Sequence, residues 1–305
     1  MANILAAQIS NPILPRELER MIFEIAALAR LTSIPTLILV AARVKEWVEP
    51  ILYRVVLIEV MFARPLLGFP IFSGSIMAKA MEIKPQAFLR NSVKSLCLEY
   101  HTVFSLVQTI LTTCTRISNL FMGYRPYSHL NALGALECLR RLAVPFRDVR
   151  RSLPLEGPHP LFRNVTHLEL LSTLPGPVPH RDILAITASL PLMPHLTHVA
   201  FHTAPKDPAF YTALHANERL QCIVFRLNFA AASDVGNTQG FADDIRFVCV
   251  RGGFGDSRNA WLVGAHSGDD FWALADTFIA ARRAKKVDHT RYCVDVDDTD
   301  DSWRT

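Results

Sequence analysis

Five side chains in the middle of the chain have the chemistry to hold a metal ion or sense pH: His167, Glu169, His198, His202 and Cys222. Imidazole, thiolate and carboxylate become zinc ligands when they converge in a tetrahedron at about 2.0–2.3 Å. The three that adjacent strands could bring together are His167, His198 and Cys222. Histidine also titrates near neutrality, so the same patch could respond to pH. The competing reading is a polar recognition surface. It is the reading expected here, because side chains set out in a row along a sheet seldom converge on one point. No metal and no cofactor are therefore expected. The remaining motifs are weaker. GGFG at 252–255 lacks the following Lys-Ser/Thr of a phosphate loop and reads as a turn. The sequence has no G-x-S-x-G and no H-E-x-x-H. His266 with Asp269 and Asp270 could do acid–base work, but capping of the last helix by Ser267 or Asp269 is the simpler reading. No enzymatic activity is expected.

These side chains have to be carried by strands. A phrase of the form apolar-x-x-apolar-x-apolar recurs seven times: VKSLCL (93–98), ISNLFM (117–122), LRRLAV (139–144), VTHLEL (165–170), LTHVAF (196–201), LQCIVF (220–225) and IRFVCV (245–250). Successive starts are 24, 22, 26, 31, 24 and 25 residues apart. That period, with that phrase, is the signal of a leucine-rich-repeat-like solenoid: an α/β fold of parallel strands and helices. Such solenoids mostly bind other proteins. Alternation along a strand sends the apolar positions to one face and the others to the opposite face. Equivalent residues on neighbouring strands about 4.8 Å apart then form rows. One row reads Ser95, Asn119, Arg141, His167, His198, Cys222, Phe247. The next reads Cys97, Phe121, Ala143, Glu169, Ala200, Val224, Cys249. The third includes His202, Arg226 and Arg251. On this face Arg141, His167, Glu169, His198, His202, Arg226 and Arg251 are the candidate residues for binding a target.

The chain has 305 residues, is 50% hydrophobic and carries a net charge of +4. This charge falls short of the clustered basic face of a nucleic-acid binder, so no nucleic acid is expected. The basic run Arg282, Arg283, Lys285, Lys286 reads as a solvated helix end. Six scattered cysteines, with no C-x-x-C pair, read as reduced thiols. The uncharged stretch 65–78 is too short for a membrane span of about 20 residues, and its prolines and glycines favour a loop. A secretory leader is not expected either. A cytoplasmic or nuclear protein, monomeric outside any complex, is the expectation.

The sequence divides into a flexible lead (1–13), a helical module (14–51), the solenoid with a closing helix (52–287) and an acidic, disordered tail (288–305). Leu18, Ile22 and Ile25 give the first helix an apolar face, and Val40, Val44, Trp47 and Ile51 give one to the next. Pro50 should end or bend that second helix. Leu52, Val55 and Leu57 repeat the strand phrase. Short helices are expected near 76–83, 103–114, 182–190 and 210–216. A loop is expected at 252–262, then a final helix over 269–286 that caps the last unit of the array.

The N-terminal segment resembles the F-box. The matching residues are Leu14, Pro15, Glu17, Leu18, Ile22, Phe23, Leu39, Val40, Val44 and Trp47. Over residues 14–286 the chain is similar to the large F-box-like families of mushroom-forming fungi, which place this module before degenerate leucine-rich repeats. The resemblance implies that Leu14, Pro15, Leu18, Ile22, Phe23, Val40, Val44 and Trp47 face the adaptor subunit of a cullin-type ubiquitin ligase. It implies that the strand face, concave in that family, captures the protein to be ubiquitinated. The chain departs from the pattern between its two helical faces, where AALARLTSI lacks the acidic-proline turn, and at Ala41-Ala42. The asparagine that follows each repeat phrase is missing too, with His101 and Arg125 in its place in two copies. The alternative is a standalone scaffold in which the same helices are a structural cap, fully packed and with no exposed apolar patch.

Overall fold

The computed structural model describes residues 14–58, 68–99, 102–123, 126–146, 159–171, 180–205, 207–227, 243–251, 257–296 and 303. The lead at 1–13, the GGFG turn, His101 and Arg125 lie outside them.

The chain builds one ten-stranded parallel sheet. Its strands are β1 (Val55–Ile58), β2 (Ile71–Phe72), β3 (Ser95–Leu98), β4 (Asn119–Met122), β5 (Arg141–Pro145), β6 (His167–Leu171), β7 (His198–Phe201), β8 (Cys222–Leu227), β9 (Phe247–Arg251) and β10 (Cys293–Asp295). From β3 to β10 each strand pairs with the next in sequence. Only β2 departs, pairing with the outer side of β1 while β1 pairs with β3. Strands enter the sheet in a shared way. The carbonyl of the residue just before one strand accepts two successive N–H groups from the next. Arg54 serves Lys94 and Ser95, Lys94 serves Ser118 and Asn119, Ser118 serves Arg140 and Arg141, and the pattern continues through Arg140, Thr166 and Thr197. The N–H groups at each bend are thus satisfied by backbone, and the hydroxyls of Ser118, Thr166 and Thr197 add a third donor to three of these carbonyls.

One face of the sheet carries the apolar positions of the repeat phrase. Leu96, Leu98, Leu120, Met122, Leu142, Val144, Leu168, Leu170, Val199, Phe201, Ile223 and Phe225 all belong to one continuous core. Among the described residues, six helices cover this face: α4 (Gly74–Ile83), α5 (Gln86–Ser92), α6 (Phe104–Thr113), α7 (Leu130–Gly134), α8 (His180–Ser189) and α9 (Pro208–Ala216). Ser73 caps α4 by accepting the Ile76 N–H, and Asp207 caps α9 by accepting that of Ala209. Each caps a donor that the first helical turn leaves unpaired.

At both ends of the array the phrase sets the wrong parity. Val56 and Ile58, rather than Val55 and Leu57, pair with Leu96 and Leu98 and face the core. Phe247 pairs with Ile223, so Phe247 and Cys249 face the core while Val248 and Val250 face the other way. Arg251 pairs with Leu227 and therefore lies on the opposite face from Arg226. The reason is that these strands are buried on both faces. Val-Val-Leu-Ile and Phe-Val-Cys-Val have no polar side to fix a register.

The N-terminal module is α1 (Arg16–Ala29), α2 (Ile34–Leu37) and α3 (Ala42–Leu52), and Pro50 sits within the last turn of α3. They share a small core of Ala27, Ile34, Val44, Trp47 and Val48. Leu31 also packs against the cluster that contains Val55 and Leu57 of β1, and Lys84, just after α4, donates to Glu49, so the module is fastened to the rest of the fold.

The C-terminal region differs most from expectation. Residues 257–267 are a helix, α10 (Ser257–Ser267), where a loop was expected to 262. The last helix, α11 (Phe271–Arg283), does not cap the end of the array. With α10 it lies across the sheet face opposite α4–α9. Asp270, rather than Ser267 or Asp269, caps it by accepting the Ala273 N–H at 3.0 Å. The tail is also corrected, since residues 293–295 extend the sheet as β10 and Trp303 is buried against Phe278. Val294 and Trp303 supply the apolar burial that the acidic composition concealed. No helix among the described residues is long and apolar enough to cross a membrane.

Candidate functional site

Two regions carry the residues that the sequence singles out. The first is the N-terminal module. Leu14, Leu18, Met21, Ile22 and Ile25 recur at helical spacing on one side of α1, and all are exposed, Ile25 at 60%. Leu39 and Val40, in the turn between α2 and α3, are exposed at 82% and 59%. Pro15 is exposed beside them. The other expected adaptor residues do not share this face. Val44 and Trp47 are core residues of the module, and Phe23 packs against them. An amphipathic helix in a three-helix module needs one apolar stripe for its own packing, and α3 spends Val44 and Trp47 on it. Arg43 donates to both carboxylate oxygens of Glu19 and ties α3 to α1.

The second region is the strand face, and here the expectation of an open binding surface is overturned. Glu169 and Arg226 are only 3% exposed, and His198 is buried as well. His202, His167, Arg141 and Arg251 are only partly exposed. The cover is α10 and α11. Trp261 and Leu262 of α10 pack with Cys97, Phe121 and Ala143, while Phe271, Trp272, Ala275, Phe278 and Ile279 of α11 pack with Ala200, Cys222, Val224, Val248 and Val250. The physical reason was present in the rows. Cys97, Phe121, Ala143, Ala200 and Val224 are apolar, and a parallel sheet with apolar residues on both faces has to bury both.

The polar residues of this face are therefore internal partners. Glu169 accepts from Arg226 Nη1 and pairs with His202 Nε2 at 2.8 Å. Burial pushes the Glu169 carboxyl up, but Arg226 and His202 outweigh it and hold it below its ordinary value. The Arg226 guanidinium also lies 4.4 Å from the centre of the Phe271 ring, a cation–π contact with the cover. Arg141 donates to Asp270 at 2.5 Å, Trp261 Nε1 donates to Asn119 at 2.8 Å and Arg258 donates to Glu99 at 2.8 Å. Arg251 instead pairs with Asp295 of β10 at 2.9 Å. Between α10, α11 and the sheet a small cleft remains, lined by Asn119, Arg141, His167, Trp261, Asp270 and Trp272.

His167 and His198 stack with ring centres 4.0 Å apart, and Trp272 meets both edge-on. Burial, with His198 and Arg141 nearby, pushes His167 down to about 3. His167 is thus neutral at physiological pH, which removes it as a sensor in that range. The three residues expected to gather as ligands do not form the tightest group. His198 and Cys222 are brought together with Asp276 of α11 instead, and their ligand atoms all lie within 4.8 Å of one another. Asp276 was missed because 78 residues separate it from His198, and no sequence spacing connects them.

Comparisons with known proteins add no identity: no family model, no curated protein and no solved structure matches this chain.

Proposed function

We propose that this chain is a protein-interaction receptor whose N-terminal helical module seats the adaptor subunit of a cullin-type ubiquitin ligase. One observation carries the reading. Leu14, Leu18, Met21, Ile22 and Ile25 of the α1 segment, with Leu39 and Val40, leave large apolar side chains in water. A helix that served only as a cap would turn these residues inward, as α3 does with Val44 and Trp47. Exposed apolar side chains gathered on one helix mark surfaces that partners cover. A helix face read at such spacing suits a partner's hydrophobic groove. The positions Leu14, Pro15, Leu18, Ile22 and Val40 are also those that the F-box resemblance assigns to the adaptor. The chain itself does no chemistry in this reading, and its contribution is proximity. The target cannot reach the strand face while α10 and α11 cover it, so target capture belongs to another surface.

The test is a binding measurement between purified full-length chain and the purified adaptor subunit. Leu18→Glu/Ile22→Glu alters two exposed side chains and leaves the module core intact. Binding by the wild type that the variant loses, with unchanged circular dichroism, supports the receptor reading. A folded wild type that does not bind sinks it and leaves the module as a cap on the sheet.

A further inference from the structure

We infer that His198, Cys222 and Asp276 form a binding site for one divalent transition-metal ion of zinc type. Three different elements supply the ligands. His198 begins β7, Cys222 begins β8, and the two are register partners on neighbouring strands. Asp276 reaches them from α11, on the layer above. A flat row of strand side chains does not converge by itself. The carboxylate from a second layer closes the third corner of the set.

The donor chemistry suits zinc, which takes imidazole nitrogen, thiolate sulfur and carboxylate oxygen. Ligand bonds of about 2.0–2.3 Å place ligand atoms roughly 3.3–3.8 Å apart in a tetrahedron. The atoms here already lie within 4.8 Å of one another. Asp276 sits on the solvent side of α11, with its side chain 52% exposed. It can swing the remaining distance, and that same exposure leaves an entry path and a fourth position for water. Cys222 is fully buried, which fixes the inner corner.

The surroundings of His198 support the same reading. Its Nδ1 lies 2.7 Å from Thr197 Oγ1, and that hydroxyl is within reach of the Thr166 carbonyl. With the hydroxyl proton on the carbonyl, Thr197 accepts the Nδ1–H. A ligating histidine is commonly oriented through its other ring nitrogen in this way. The Nε2 lone pair then faces Asp276 Oδ1 at 3.1 Å. In that tautomer two acceptors face each other, an arrangement a bound cation joins; in the other, Nε2–H donates to Asp276. A proton would join only His198 and Asp276, whereas a metal ion would also engage Cys222, whose sulfur lies within 4.8 Å of both. On binding, the ion takes the thiolate of Cys222 and the thiol proton leaves to solvent.

The experiment uses the purified full chain and Co²⁺ alone as a spectroscopic stand-in for zinc. The expected result is one Co²⁺ per chain with thiolate-to-cobalt charge-transfer absorption and the visible bands of a tetrahedral site. Cys222→Ser should abolish the charge-transfer absorption. Asp276→Asn, an exposed substitution that leaves the core intact, should weaken binding by about 10-fold or more, the lower limit seen when even a supporting partner of a metal ligand is removed. Should Cys222→Ser fail to fold, Asp276→Asn decides alone. A folded wild type that takes up no Co²⁺ overturns the proposal and leaves His198–Asp276 as an ordinary proton-bridged pair. Absorption and affinity unchanged by Asp276→Asn also overturn it, by placing the metal elsewhere.

Discussion

Replacing Glu169 tests whether the strand face is covered. Glu169 and Arg226 are both 3% exposed, and the Arg226 guanidinium is enclosed between the sheet and Phe271. Truncation by Glu169→Ala removes the carboxylate that balances that buried guanidinium. Removing one partner of a buried ion pair costs about 3–5 kcal/mol, most of it from the charge left behind. Glu169→Gln keeps an acceptor oxygen and loses only the charge, so its cost should fall towards the roughly 1.5–3 kcal/mol of a charged hydrogen bond. The double variant Glu169→Leu/Arg226→Met removes both charges and should recover most of the loss, because a buried pair often exchanges for apolar residues at little net cost. Equilibrium urea denaturation followed by tryptophan fluorescence suits the question, since Trp261 and Trp272 pack on this face. The pH dependence has a definite sign. Glu169 is held below its ordinary value of 4.5, so it contributes stability above that pH and loses it as pH falls through the lower folded value. The gap between wild type and Glu169→Gln should be full at pH 7 and narrow in acid. A Glu169→Ala cost under about 1 kcal/mol would refute the reasoning, because that is the worth of a solvent-exposed pair. A double variant as unstable as Glu169→Ala would refute it too.

Further outcomes follow from the same cover. Gly264→Ala would bring a methyl 2.5 Å from Asp270 Cβ. Overpacking of this kind costs roughly 1–3 kcal/mol, so the melting temperature should fall, and an unchanged one rules out the close approach of α10 to the start of α11. Trp261→Phe keeps the ring but loses the 2.8 Å bond to Asn119. A loss of about 0.5–1.5 kcal/mol in urea titration is expected. Arg282 donates to the carbonyls of Phe247 at 3.0 Å and His289 at 2.7 Å. Arg282→Met should cost roughly 1.5–3 kcal/mol for a charged donor and speed proteolysis of the segment after α11. Equal digestion rates for variant and wild type would exclude this anchoring.

The main core was legible because the repeat phrase alternates cleanly where one side of a strand is polar. Ser95, Asn119, Arg141, His167 and His198 mark the other side of β3–β7, and their register came out as the phrase implies. At β1 and β9 every residue is apolar or nearly so, and nothing in a single sequence chooses between two parities. The cover was hidden in the sequence for a different reason. The charged members of the rows suggest an open polar face, while the apolar members beside them, Phe121, Ala200 and Val224, require a second layer. The exposed face of α1 was legible in its spacing, but spacing alone could not say that Val44 and Trp47 would turn inward. Asp276 was beyond reach, since its place beside His198 depends on how α11 crosses the sheet.

The bonds from the C-terminal helices to the sheet join residues far apart in the chain. Arg258 reaches back 159 residues to Glu99, Trp261 reaches 142 to Asn119 and Asp270 reaches 129 to Arg141. In an open array each unit touches only its neighbours, so stability adds unit by unit and the ends can fray. Here two helices lie across β1, β4 and the strands to β9, and no unit beneath them can peel away alone. The array should therefore melt as one cooperative body. The same geometry delays assembly. During synthesis β1 to β9 emerge with one apolar face bare, and they stay so until residues 257–283 leave the ribosome. Loops that long close slowly, and the waiting sheet is exposed to aggregation meanwhile. A chain built this way trades independent units for a single late closure, and its yield in the cell should depend on chaperones during that interval.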